Sequence, residues 1–186
     1  KTIQIQGQAD HIIDGDKDYV LRLRMSSDDS KYNAKDKYIP GKNIDTDTAE
    51  IVKKYTNTVV SEDGTTADIM ISLSSIPTDP VTVKIGASMA NEVAISTTEM
   101  VFTPDNWNVE QKLTVTGVDD FVIDGEAVSK ITFNTESDDR NFNELNDELE
   151  ITTLDNDVAQ IVVASSGSEY FENSQANPDF KVVLSA

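Results

Sequence analysis

Cysteine is absent from the 186 residues, which excludes disulfides, thiolate nucleophiles and zinc sites built on sulfur. Such a composition suits an exported bacterial protein that crosses membranes unfolded. Histidine occurs once, as His11. No stretch approaches the roughly 20 apolar residues of a membrane-spanning helix, and no secretory signal opens the chain, so Lys1 reads as a cut inside a longer protein. Aromatic residues make up only 6% of the chain, too few to supply a platform of rings for stacking sugars. Basic residues are also scarce: 15 Lys and Arg against 34 Asp and Glu give a formal charge of −19. That charge repels nucleic-acid phosphates and anionic lipid surfaces and attracts cations. An apolar content of 38% still permits a folded core.

What the chain does have is an internal repeat. "QADHIIDGD" from Gln8 to Asp16 has nearly the same spelling as "VDDFVIDGE" from Val118 to Glu126. A displacement of 110 residues lays Gly7 on Gly117, Asp10 on Asp120, Ile13 on Ile123, Asp14 on Asp124 and Gly15 on Gly125. The same register carries Ser27, Asp28 and Asp29 onto Ser137, Asp138 and Asp139, and Asp45 and Asp47 onto Asp155 and Asp157. After a one-residue slip "DIMISLSS" from Asp68 lies over "DFKVVLSA" from Asp179. A period this long is a small domain in tandem rather than a solenoid unit. The expected organisation is residues 1–49 as the C-terminal part of one repeat, 50–157 as a complete repeat, and 158–186 as the N-terminal strands of a third.

Within the complete repeat the apolar residues alternate with period two. Ile69, Ile71 and Leu73 mark one strand, and Val81, Val83 and Ile85 a second. Leu113 with Val115, then Ile131 with Phe133, mark two more. "SEDGTT", "SIPTDP", "FTPDN" and "DGE" punctuate them with turn chemistry. Short alternating strands without helical periodicity predict an all-β fold, an immunoglobulin-like antiparallel β-sandwich repeated in tandem. Trp107 is expected to pack at the sandwich end. The charge run "ESDDRNFNELNDELE", from Glu136 to Glu150, is expected to be a solvated connection, with Phe142 and Tyr32 as loop anchors.

The acids gather in three groups: Glu62 before the first long alternating strand, Asp119, Asp120, Asp124 and Glu126 after "KLTVTG", and Asp155 with Asp157 at the close of the repeat. Loops at one end of a sandwich converge although they are far apart in sequence. Close carboxylates repel, and no Lys or Arg lies inside any of the three groups. Oxygen-only, flexible ligation is what Ca²⁺ prefers, with six to eight ligands drawn from carboxylates and backbone carbonyls. Ca²⁺ is therefore the expected cofactor.

Taken in order, "SEDGTT", "LSSIPTDPVTV", "FTPDNWNVEQKLTVTGVDD", "DGE" and "TLDND" resemble the Calx-β repeat strung through large bacterial surface and secreted proteins. The resemblance covers about residues 50–157. It implies a seven-stranded sandwich with calcium at its distal loops, near the junction with the next repeat. Carried over position by position, the metal ligands are Glu62, Asp119, Asp120, Asp124, Asp155 and Asp157, with the backbone carbonyl of Val122. The chain departs from the pattern at Ala127, where a further acid is expected, and between Ile95 and Thr98, where the aspartate of a "GxDY" element has no counterpart. In the first partial copy Ala9 stands where Asp119 should be. Fewer ligands imply one or two ions, held in the weak extracellular range of roughly 10⁻⁴ to 10⁻³ M.

No phosphate-cradling glycine loop, nucleophile elbow or metalloprotease helix is present, and His11 aligns with Phe121 rather than with a second histidine. The expected function is that of a non-catalytic, calcium-stiffened spacer in a large extracellular or bacterial cell-surface protein, its partners being neighbouring repeats of the same chain. Two alternatives stand beside it: an adhesin module that recognises a sugar or a protein, and a filament subunit in which another copy completes unpaired strand edges. Nucleic acid and membrane insertion of this segment are not expected.

Overall fold

The computed structural model describes residues 2–166 and 179–185 and contains thirteen strands and no helix among them. A first hairpin joins β1 (Lys17–Arg24) to β2 (Asp36–Asn43). Nine strands follow: β3 (Ile51–Tyr55), β4 (Val59–Ser61), β5 (Thr66–Leu73), β6 (Val81–Ala87), β7 (Val93–Ile95), β8 (Glu99–Phe102), β9 (Gln111–Gly117), β10 (Ala127–Ser137) and β11 (Asn146–Leu154). A last pair, β12 (Ile161–Ser165) and β13 (Phe180–Leu184), closes the chain.

Strands β3 to β11 form a β-sandwich of immunoglobulin-like kind. One sheet has the order β4-β11-β10-β6-β8 and the other β3-β5-β9-β7. All neighbours are antiparallel except β4, which runs parallel to β11. The alternation read from the sequence sets the packing. Ile69, Ile71, Leu73, Leu113 and Val115 from one sheet face Val81, Val83, Ile85, Ile131, Phe133 and Ile151 from the other, all buried in a single cluster. Each such side chain, fully buried, contributes about 1.5–3 kcal/mol. Every fully buried member of that cluster lies between Ile51 and Ile151.

The sandwich has nine strands rather than seven. The added strands are short pieces at the sheet edges, and Asn57 explains one of them. Its side chain accepts a hydrogen bond from the Val59 N–H (2.9 Å) and donates to the Val59 carbonyl (2.6 Å). These bonds replace ladder pairing and let the chain leave β3 in one sheet and enter β4 in the other.

The run from Glu136 to Glu150 is not the solvated connection expected. It closes β10 and supplies most of β11, with Leu149 buried, and only the stretch between the two strands is a loop. Asp139 in that loop is buried because its carboxylate accepts from the N–H groups of Asn141 (2.8 Å) and Thr78 (2.8 Å). Phe142 is fully buried and anchors the loop, whereas its counterpart Tyr32 is exposed, the first hairpin having no second sheet to cover it.

The flanking hairpins repeat the registers of the sandwich. Lys17 faces Asn43 as Ala127 faces Thr153, and Ile161 faces Leu184 as Ile51 faces Leu73. All described residues of β12 and β13 are exposed.

At the end where the acids lie, the two sheets meet backbone to backbone. A Cβ added to Gly117 would stand 2.1 Å from the Ser61 carbonyl oxygen, so only glycine lets β9 approach β4. Gly117→Ala is predicted to destabilise the sandwich by about 3 kcal/mol, because backbone rather than a flexible side chain must give way. Urea unfolding followed by far-UV circular dichroism measures this; a midpoint unchanged from the parent would show that the strands separate without cost.

Candidate metal centre

Four segments meet at this end of the sandwich. The β4–β5 turn carries Glu62, Asp63 and Gly64, the last at φ 79°. The β9–β10 loop carries Asp119, Asp120 and Asp124, with Gly125 at φ 82°. The segment after β11 carries Asp155, Asn156 and Asp157. A turn before β7 adds Glu92.

Backbone bonds hold these segments in place. The Glu62 N–H donates to the Leu154 carbonyl (3.1 Å), fixing the first turn to the end of β11. Asp155 accepts from the N–H groups of Asp157 (2.7 Å) and Gly125 (2.8 Å), so one carboxylate ties the closing segment to the β9–β10 loop. Asn156 reaches back with its N–H to Glu62 (3.1 Å), and its amide contacts Asp63 (3.1 Å) and Asp119 (3.4 Å). Glu92 is anchored through its backbone carbonyl, which accepts from the Val118 N–H (2.9 Å).

The result is a concentration of negative charge. Carboxylate oxygens of Glu62, Asp155 and Asp157 all lie within 4.8 Å of one another. Glu62 is only 2% exposed, as is Glu92. Oδ2 of Asp157 is buried without a hydrogen-bond partner, an arrangement that native structures seldom tolerate. Among the described residues, no Lys, Arg or His forms an ion pair with any acid of this group.

The titration behaviour follows from that crowding. For Glu62, the Asn156 N–H favours the anion, but desolvation and the charges of Asp155, Asp120 and Asp157 outweigh it and raise the pKa. Glu92 is raised by desolvation first and then by Asp124, Asp120, Glu62 and Asp155. Asp157 is raised by desolvation and by Asp155, Asp119, Asp120 and Asp124. Asp155 moves the other way, its anion favoured by the N–H groups of Asp157 and Gly125.

Glu62, Asp155 and Asp157 are thus in mutual reach, and Asp119, Asp120 and Asp124 are near enough for their charge to act on them. Val122 differs in kind: its side chain is exposed and its N–H donates to Asp120 (2.7 Å), a bond that shapes the loop. Glu92 was missed in the sequence. Its signal was an acid immediately before a short apolar strand, in a stretch from Ile85 to Gln111 without one basic residue.

The first partial copy repeats part of this geometry. Asp45 accepts from the N–H groups of Asp47 (2.9 Å), Gly15 (2.7 Å) and Asp14 (2.9 Å), as Asp155 does from Asp157 and Gly125. There, however, Lys17 stands at the position of Ala127 and pairs with Asp14 (3.4 Å).

No family model matches the chain, and no curated protein matches it. Similar solved structures include SSP-19, an MSP-domain protein like family member in Caenorhabditis elegans, at 11% identity and a TM-score of 0.39, covering 52% of this chain and 92% of that one. The periplasmic chaperone SfaE is similar at 9% identity and a TM-score of 0.42, over 58% of this chain and 57% of SfaE. The E. coli chaperone DraB follows at 12% and 0.40, over 65% of this chain and 66% of DraB. At these values the likeness says nothing of ligand, partner or activity. No helix among the described residues is long and apolar enough to cross a membrane.

A pH dependence follows from the shifts. The raised carboxyls of Glu62, Glu92 and Asp157 bind protons more tightly folded than unfolded, so the folded state gains as pH falls toward the ordinary values of 4.5 and 3.8. The lowered Asp155 contributes stability above 3.8 that is lost as pH falls through its folded value. In chelator-treated, metal-free buffer the thermal midpoint is therefore expected to rise as pH falls from neutral toward about 4, then fall in stronger acid. A midpoint that declines steadily from neutral pH would show that the carboxylates do not repel one another in the folded state.

Proposed function

We propose that residues 50–157 are a Calx-β-like, calcium-binding structural repeat, without catalytic activity, of an extracellular or cell-surface protein. Its ions clamp loops at the end of the sandwich next to the following repeat. One observation carries the reading: three carboxylates within 4.8 Å, including a buried Asp157 oxygen without a partner, and no cationic side chain among the described residues to neutralise them. A hard cation fits this donor set, which is all oxygen and comes from separate segments of the chain. Glu62, Asp155 and Asp157 would hold the ion, with Asp119, Asp120, Asp124, Glu92 and the Val122 carbonyl as the remaining donors. Bound there, Ca²⁺ supplies positive charge that turns the repulsion among these loops into cross-linking. Because the unfolded chain has no such cluster, binding stabilises the folded state by mass action.

A second reading, assembly through strand edges, draws on the hairpin of β12 and β13. Its residues are exposed, including Ile161 and Leu184, whereas in the sandwich the equivalent Ile51 and Leu73 are buried. Another chain or a further stretch of the same protein could cover them.

Thermal unfolding in EDTA, Ca²⁺ and Mg²⁺ decides on the first reading. At an ion concentration of about a hundred times Kd the stabilisation is about 2.7 kcal/mol, or a rise in Tm on the order of 10 °C. Mg²⁺, which dehydrates reluctantly and demands octahedral geometry, is expected to give less. Joint substitution of Asp119→Ala and Asp120→Ala is expected to reduce the Ca²⁺ response, and Glu62→Gln to remove most of it. Superimposable curves in EDTA and Ca²⁺ would sink the calcium reading and leave assembly, measured by sedimentation, as the function to pursue.

A further inference from the structure

The β9–β10 loop of the sandwich has an apolar tip whose side chains take no part in the acidic cluster. Phe121 is 73% exposed, Val122 56% and Ile123 53%. Three consecutive apolar side chains at the tip of a loop are a conspicuous exposure for so acidic and aromatic-poor a chain.

The equivalent loop in the first partial copy shows what such a tip does. The two segments read "DHIIDG" and "DFVIDG", differing only at positions 11 and 12. They share an aspartate that accepts from the N–H two residues on, Asp10 from Ile12 (3.1 Å) and Asp120 from Val122 (2.7 Å). Each also ends on a glycine at positive φ, 74° for Gly15 and 82° for Gly125.

The first loop, however, is seated against the near end of the following sandwich. The Ile76 N–H donates to the His11 carbonyl (2.7 Å). The His11 ring lies 5.2 Å from that of Trp107, tilted by 43°. Ile13 is half-buried against the sandwich core, in contrast to Ile123. His11 also adopts φ 62°, a region that residues with a Cβ seldom enter, whereas Phe121 stays out of it. The left-handed backbone thus goes with the seated loop.

We infer that the tip Phe121–Ile123 is an inter-repeat plug whose partner is the near end of another sandwich of this repeat type, the end that presents a backbone N–H at the position of Ile76 and an indole at that of Trp107. The ring at the first tip position covers the indole, the carbonyl takes the N–H, and the isoleucine two residues on reaches the core. The reading is independent of calcium: it rests on the seated loop in this chain and on the sequence shared by the two tips.

The single tryptophan makes the seat observable. In the full chain, His11→Phe with Ile12→Val converts the first tip into the sequence of the second. If the second tip is a plug, Trp107 keeps the emission maximum and the acrylamide quenching of the parent. His11→Asp with Ile13→Asp, which places charge in the seat, is expected to red-shift the emission and increase quenching. Both pairs lie outside the sandwich, so its far-UV spectrum and cooperative unfolding separate loss of the seat from loss of the fold. A tip-exchange variant whose Trp107 is as exposed as in the aspartate variant would overturn the proposal and assign the exposed tip to a partner of another kind. So would an aspartate variant indistinguishable from the parent.

Discussion

Forced proximity of like charges governs this end of the protein. Burial of the alternating side chains draws the two sheets together, Gly117 lets β9 touch β4, and the strands then deliver Glu62, Asp119, Asp120, Asp124, Asp155 and Asp157 to one place whether or not they repel. The unfavourable part is local and the favourable part is spread over the core, so the fold can carry a cluster that would not assemble from free loops. Backbone N–H groups bear on only some of these acids, Asp155 above all, and leave Asp157 with a bare buried oxygen. The cluster is thus partly satisfied by backbone N–H groups and otherwise left to mutual repulsion.

Much of the fold could be read from the sequence because side-chain alternation along a strand is local. Ile69, Ile71 and Leu73, or Val81, Val83 and Ile85, announce a half-buried face without reference to anything distant. Which sheet a strand joins is not local information, and this is where the reading fell short. The crossing at Asn57 depends on two hydrogen bonds to one residue, and no periodicity marks it. The run from Glu136 to Glu150 misled for a related reason: Glu136, Glu148 and Glu150 occupy outward positions of β10 and β11, Asp147 shares the inward side with Leu149 but pairs with Lys53, and Leu149 is the run's one apolar residue within a strand. Asp139 became buried because of partners supplied by Thr78 and Asn141, a long-range arrangement and a local one acting on the same carboxylate.

The acidic cluster divides along the same line. Glu62, the β9–β10 acids and the closing pair were legible because they sit beside turn signals and because loops at one end of a sandwich must meet. Glu92 was not, since a single acid before a short strand carries no pattern of its own; its place depends on the Val118 N–H drawing its backbone to the site. Lys17 at the position of Ala127 shows how little separates an acidic cradle from a neutralised one: a single basic residue gives the first copy's Asp14 an internal partner that Asp124 lacks.

The β9–β10 loop and its counterpart in the first copy together show two kinds of contact. Its acids belong to the end of their own sandwich, while in the first copy its tip rests on the start of the next, with only Gly15 or Gly125 and a few residues between. Short loops fixed at both ends have few conformations, so a constraint on the acids restricts the tip and a seated tip restricts the acids. Asp10 and Asp120 each accept from the amide in the middle of the tip, Ile12 and Val122, which links acid and tip within one turn. Where the first loop meets the following sandwich the contact is made by few groups, the His11 carbonyl on the Ile76 N–H, the His11 ring beside Trp107 and Ile13 against the core, so a change at any one of them bears on the whole seat.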